Sequence, residues 1–254
     1  MSTIEKLASY IHDVNFTDIP DDVINLAEDC VLDSVGAAIA GFQLESTRAV
    51  REVVNQHWQN GQSTHWFTAS TVSTMGAGFA NSMAASAADV DDGHRMAAGH
   101  AGSAVVPAAI AIAEEVRASP EEILTAIVLG YEIAVRLATA RNPEMNPSTA
   151  SGRWCGFGVA VVGAKLRRLN VSQTIQALLI TEQQSPGLLS AHLHGFGGSH
   201  VKEGIAWSVV TGIVALDLAM SGFKGYPNTL EQPSLYDGGA IIKDLGDEFL
   251  FQGT

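Results

Sequence analysis

The sequence predicts an all-α fold on three observations. Apolar residues recur at helical spacing along most of the chain, small residues are concentrated inside those segments, and strand-like alternation is scarce. With 254 residues, 46% hydrophobic and 16% charged, the chain can bury a substantial core and has the opposite composition to a disordered segment.

Taken in order, Ile4, Leu7, Ile11 and Val14 share one helical face. Asp18-Ile19-Pro20 opens a second helix, with Pro20 in the first turn, where a missing N–H costs nothing. Its apolar stripe is Val23, Leu26, Val31, Val35 and Ile39, and Gly41 ends it. Ser46 caps a third helix that turns Val50, Val53 and Val54 inward. Ser119-Pro120-Glu121-Glu122 reads as a capping box enclosing a proline, ahead of a long buried helix from Ile123 to Ala140. Val171-Ser172-Gln173 starts another helix, and Lys202 to Gly222 forms the last long one. Gly76 to Ala80, Met83 to Ala88 and Ala104 to Ala113 are runs of small residues, which let helix axes approach closely and mark central helices. The strand candidates are Thr64-His65-Trp66-Phe67 and Phe249-Leu250-Phe251.

From Gly238 through Ile241, Leu245, Phe249 and Phe251 the tail is apolar and strand-like. It reads either as a segment packed on the domain or as the start of a second, truncated domain. The division expected is a helical domain over 1–235 and a tail over 236–254.

Lys and Arg number 14 against 27 Asp and Glu, a formal net charge of −13. That balance argues against nucleic acid as a partner, because no general excess of cations exists to release counterions. Cys30 and Cys155 both sit in apolar segments, which predicts reduced, buried thiols. The N-terminus carries an early acid and no apolar signal region, and Ile205 to Met220 is too short and too polar to span a bilayer. A soluble cytoplasmic protein with no membrane partner is the expectation.

Three clusters could carry chemistry. The first is Asp89-Val90-Asp91-Asp92-Gly93-His94-Arg95, followed by Gly99-His100-Ala101-Gly102-Ser103. Adjacent carboxylates repel one another and need cations, donors or a metal. Asp91 and Asp92 also read as turn and cap residues. His94 and His100, on a loop between two helices, suit proton transfer near neutral pH. Metal binding competes as an explanation, but no recognised zinc spacing is present, so no metal is assigned.

The second cluster, Ser148 to Gly158, sets Ser151 and Arg153 ahead of a helix starting near Gly158, a carboxylate site if the helix N-terminus is free and ordinary capping otherwise. The third is His192-Leu193-His194-Gly195 through His200-Val201-Lys202-Glu203-Gly204. Here a lysine in the first turn of a helix opposes the macrodipole, which would press its pKa down and suit it to proton transfer. His192, His194 and His200 read individually as solvated loop residues.

These segments, together with Val31 to Gly41, Gly158 to Leu169 and Gly222-Phe223-Lys224-Gly225, resemble the MmgE/PrpD family over nearly the whole chain. The resemblance implies an all-helical domain followed by a smaller α/β domain, a homodimer, and an active site between the two domains. Asp89 matches the first Asp of the family's D-x-D-D motif. His100 matches the His that follows it, with Ala101 in place of the usual Pro, and Lys202 matches the lysine before the long helix. The resemblance makes Asp89, His100 and Lys202 catalytic, with His94, Ser151, Arg153 and His200 as substrate-binding candidates.

Two departures stand out. Thr149 falls where dehydratase and decarboxylase members carry a His, with Arg153 nearby as a carboxylate clamp. The family's second domain, which adds further His and Tyr residues, would begin where this chain ends. The activity implied is cofactor-independent acid/base chemistry on a small di- or tricarboxylate, by dehydration or decarboxylation. Epimerisation of an iminodisuccinate-like dicarboxylate is the alternative. So is a non-catalytic, truncated or split member that works with a separate α/β partner.

Overall fold

Ser2 starts the first helix by a reciprocal cap. Its hydroxyl accepts from the Glu5 N–H, while the Glu5 carboxylate accepts the Ser2 N–H at 2.8 Å. The same device starts the helix at Ser119, with Glu122 as its partner, as the sequence predicts. In this computed structural model, residues 1–187 and 198–253 are described. The α-helices among them are α1 (Thr3–Asp13), α2 (Asp21–Gly41), α3 (Glu45–His57), α4 (Thr74–Ser86), α5 (Gly102–Val116), α6 (Pro120–Ala140), α7 (Gly152–Leu166), α8 (Val171–Gln184), α9 (Ile205–Met220) and α10 (Gly238–Ile242). One two-stranded antiparallel ladder, β1 (Ser63–Thr64) with β2 (Thr71–Val72), pairs Ser63 with Val72 and Thr64 with Thr71. The fold is all-α, as expected.

α7 is the central element and packs against α5, α6, α8 and α9. The approach is set by glycine. A Cβ on Gly158 would lie 2.7 Å from the Gly130 carbonyl oxygen of α6, and one on Gly212 would lie 2.6 Å from Val159 Cβ. No larger residue fits these crossings without moving a backbone. α6 is long and apolar enough to cross a membrane by length and composition, whereas Ile205–Met220 is apolar but shorter. In this structure it is largely buried by its neighbours, as a core helix is.

Several local expectations are corrected. The buried face of α2 is Val23, Ile24, Ala27, Cys30, Ser34, Ala37, Ala38 and Gly41, while Ile39 and Leu32 are exposed. Small residues won this face because α2 lies tight on α4: a Cβ on Gly41 would fall 2.0 Å from the Ala84 carbonyl oxygen. In α3, Val54 is buried but Val53 faces out, and the helix starts at Glu45, with Ser46 inside its first turn. The strand predicted at Thr64 to Phe67 shrinks to Ser63–Thr64. Glu114 accepts from the Thr64 N–H at 2.6 Å, and Asn81 accepts from the Trp66 N–H at 3.0 Å, so side chains take bonds a longer ladder would have used.

The tail is not a strand. It forms α10 and a 3₁₀ turn, Leu250–Gly253, with Phe251 fully buried and its ring 4.5 Å from Tyr131. A buried ion pair between Arg136 and Glu132 holds it. The Arg136 guanidinium donates to the carbonyls of Ile241 (3.2 Å), Lys243 (2.6 Å) and Glu248 (2.8 Å), and Glu132 accepts the Phe251 N–H at 2.9 Å. Arg136 thus replaces the strand partner that an apolar tail would otherwise need. Cys30 and Cys155 are both free and buried, and burial pushes both thiols well up.

Candidate active site

The site is built where three interhelical connections meet: the loop from α4 to α5, the start of α7, and the residues just before α9. The first loop leaves α4 at Ser86 and turns at Asp89, whose φ is +56°. Aspartate is among the non-glycine residues that accept the left-handed region most readily, which suits it to this turn. Further on, the His94 N–H donates to the Gly99 carbonyl at 2.8 Å, closing the loop and delivering His100 next to the start of α5.

Before α9, the chain reverses through Glu203 (φ +51°) and Gly204 (φ +71°), so the helix begins at Ile205. Lys202 therefore stands ahead of α9 rather than in its first turn. The expected depression of its pKa by the helix dipole is corrected: burial does pull it down, but hydrogen bonds and charge from Asp89 and Glu203 outweigh that and hold it above the ordinary lysine value.

Three of the predicted residues converge. The Lys202 ammonium is 2.7 Å from Asp89 Oδ1, and that same oxygen is 3.7 Å from His100 Nε2. The Lys202 side chain is 2% exposed, His100 22% and Asp89 51%, so the cluster opens outward through Asp89 and the His100 ring. His100 Nδ1 lies 2.8 Å from the Asp92 carbonyl oxygen and 3.7 Å from Asp91 Oδ2. A carbonyl can only accept, so Nδ1 carries the hydrogen and, in the neutral ring, Nε2 presents its lone pair toward the opening.

Two residues without a role assigned from sequence belong to this framework. Asp91 is not a cap: its side chain is fully buried behind His100, and burial raises its carboxyl above the usual range despite His100, Ser103 and Lys202 nearby. Glu203 accepts from the Lys202 ammonium at 2.9 Å and from the Ser151 hydroxyl at 2.6 Å. Burial pushes its pKa up, but those bonds and the Lys202 charge leave it below the ordinary value. In the sequence, only its position between the lysine and a glycine distinguishes it.

The remaining candidates divide. Ser151 joins the framework, accepting the His100 N–H at 3.0 Å. α7 starts at Gly152 rather than near Gly158, which puts Arg153 in its first turn, where it is held by Glu182 at 2.6 Å and does not reach the cluster. His94 is buried, with Nδ1 accepting from the Ala97 N–H at 3.2 Å and Nε2 set 2.8 Å from the Leu250 carbonyl oxygen, so it serves the tail. His200 is exposed, 3.7 Å from Glu45. His192 and His194 lie outside the described residues.

Asp89, Asp91 and His100 each offer a donor atom within 4.8 Å of the others. They do not suit one metal ion. The two carboxylates face opposite nitrogens of the ring, Nδ1 is turned to a carbonyl, and the Lys202 ammonium already occupies Asp89.

Residues 5–239 match the family described as MmgE/PrpD N-terminal domain. Among curated proteins, the chain is 25% identical to human cis-aconitate decarboxylase over 241 residues, covering 91% of this chain and 48% of that protein. It is 23% identical to a cis-aconitate decarboxylase-like protein of Aspergillus oryzae (89% of this chain, 48% of that protein). With the cis-aconitate decarboxylase of Aspergillus terreus it shares 24% identity (85% and 45%). The chain spans about half the length of these relatives. A helical fold that gathers Asp89, His100 and Lys202 at one opening, and a family match over residues 5–239, lead to one conclusion: the chain belongs to the MmgE/PrpD family, as its N-terminal domain.

Proposed function

We propose that this chain supplies the acid/base half of a lyase acting on a small di- or tricarboxylate, by dehydration or decarboxylation. The observation that carries the reading is the convergence of the Lys202 ammonium, Asp89 and His100 Nε2 at one partly exposed opening. A proton alpha to a carboxylate is only weakly acidic, and its removal needs a base beside the carbon and a cation beside the developing negative charge. In this reading, His100 Nε2 takes or returns the proton. Lys202, held charged, stabilises the enolate-like oxygen or protonates the leaving group, and Asp89 keeps the ammonium and the imidazole in register. The same pair would serve epimerisation if the proton returned to the opposite face. The chemistry draws on these side chains and assigns no cofactor.

Among the described residues, the carboxylates of Asp89, Asp91 and Glu203 gather about the Lys202 ammonium. An anionic substrate therefore needs further positive or neutral donors, in keeping with relatives about twice as long as this chain. We accordingly include in the proposal a separate or adjoining α/β unit that completes the site, together with the homodimer that the family resemblance implies and the cytoplasmic setting expected from the sequence.

The test is proton NMR in D₂O with the purified chain, alone and with candidate α/β partners, against 2-methylcitrate, cis-aconitate and iminodisuccinate. Deuterium incorporation or product formation that disappears in Lys202→Ala supports the reading. No exchange with any compound, from folded protein and with the partner present, would sink it.

A further inference from the structure

We propose that Glu203 is a positioning residue whose carboxylate holds the Lys202 ammonium with one oxygen and, through Ser151, the backbone of His100 with the other. Oε1 is 2.9 Å from Lys202 Nζ. Oε2 accepts the Ser151 N–H at 2.9 Å and the Ser151 hydroxyl at 2.6 Å, and that hydroxyl oxygen accepts the His100 N–H at 3.0 Å. The Glu203 carbonyl accepts the Gly152 N–H at 3.0 Å. One residue thereby ties together the segment before α9, the start of α7 and the loop before α5, which are the three connections that form the site.

The backbone supports this assignment. Glu203 sits at φ +51°, a conformation that is unfavourable for a non-glycine residue and persists where surroundings fix it. Among the described residues, Asp89 from the loop after α4 and Glu203 pair with the Lys202 ammonium, Asp91 of the same loop and Cys155 of α7 lie within reach of its charge, and His100 shares the Asp89 oxygen. Of the two carboxylates bonded to the ammonium, Asp89 is half exposed and screened by water, whereas Glu203 is 11% exposed. The buried partner exerts the stronger field on the ammonium. A glutamate that only capped α7 would bond Ser151 and make no hydrogen bond to the Lys202 ammonium.

The importance of this wiring for turnover rests on the proposed function; the wiring itself is tested without substrate. The full chain is labelled at lysine Cε and at backbone nitrogen, and its five lysines, Lys6, Lys165, Lys202, Lys224 and Lys243, are followed by NMR with rising pH. The Lys202 signal is identified by its loss in Lys202→Met. In the unaltered protein, Lys202 keeps its charge past the ordinary lysine range. In Glu203→Gln its midpoint falls by about one pH unit, a tenfold change in proton affinity, and the His100 amide signal moves. Ser151→Ala moves the His100 amide and leaves the Lys202 signal charged.

An unshifted Lys202 midpoint in folded Glu203→Gln overturns the proposal. If that variant does not fold, Glu203→Asp, which keeps the charge and shortens its reach, decides: a Lys202 midpoint and a His100 amide that both stay put overturn the proposal, and their joint movement supports it. Intact wiring with no turnover, the α/β partner included, would refute the lyase reading alone.

Discussion

Asp33 of α2 accepts the Asp92 N–H at 2.8 Å, so a carboxylate from one helix is fastened to the backbone of the loop that carries the candidate site. The Asp92 side chain is itself buried over the start of α5, where a Cβ on Gly102 would lie 2.3 Å from its Oδ1. Burial, with the charges of Asp91 and Asp33, pushes the Asp92 carboxyl up to about 7.

This arrangement predicts a stability loss toward alkaline pH. A carboxyl whose pKa is higher in the folded than in the unfolded chain binds its proton more tightly when folded. Its contribution is complete below the unfolded value near 3.8 and is lost as pH rises toward 7. Asp91, also raised, acts in the same direction, while the lowered Glu203 contributes above its unfolded value and loses that only in acid. Urea unfolding at pH 5 and pH 8 should show lower stability at pH 8, by an amount on the order of a few kcal/mol. Asp92→Asn should shrink that difference; an undiminished difference would place its origin elsewhere.

Replacing the Lys202 ammonium leaves Asp89 and Glu203 facing each other without a cation. Lys202→Met should destabilise the fold by about 2 kcal/mol, less than a fully buried pair would cost because Asp89 is half exposed. It should also abolish any deuterium exchange into carboxylate substrates. Chemical denaturation and NMR exchange measure the two effects separately, and retained exchange would remove Lys202 from the mechanism.

The tail depends on a buried charge pair. Arg136→Ala leaves Glu132 uncompensated in the core and four tail carbonyls without their donor, so a loss of about 3–5 kcal/mol is expected. Hydrogen exchange should quicken at the Phe251 amide, whose acceptor is Glu132. Protection of that amide matching the unaltered chain would mean apolar packing alone secures the tail.

Helix crossings at glycine tolerate no added methyl. Gly158→Ala puts Cβ 2.7 Å from the Gly130 carbonyl oxygen, and Gly36→Ala meets nothing within 4 Å. The first should cost about 1–3 kcal/mol by overpacking. The second should stabilise by about 0.5–1 kcal/mol through helix propensity. Thermal unfolding of the pair tests whether close approach, rather than glycine content, sets the fold.

The helices were legible because their signals are local. Capping at Ser119 and the small-residue runs of α4 and α5 need only neighbours in sequence. Where periodicity misled, the reason was tertiary. α2 buries Ala37 and Ala38 and exposes Ile39 because α4 lies too close for larger side chains. The apolar tail looked like a strand until Arg136, more than a hundred residues away, supplied its acceptors with donors.

The candidate site divides along the same line. Asp89, His100 and Lys202 could be singled out by residue type and by resemblance, but not which way Arg153 turns or what His94 binds. Both of those choices were made by partners distant in sequence, Glu182 and the Leu250 carbonyl. By itself the sequence determined the helices, the family and the residue types available for acid/base work, because spacing and capping act over a few residues. Only the tertiary structure decided that Lys202 is a held cation with Glu203 beside it, because a pKa is set by whatever burial and charge the fold brings within a few ångströms.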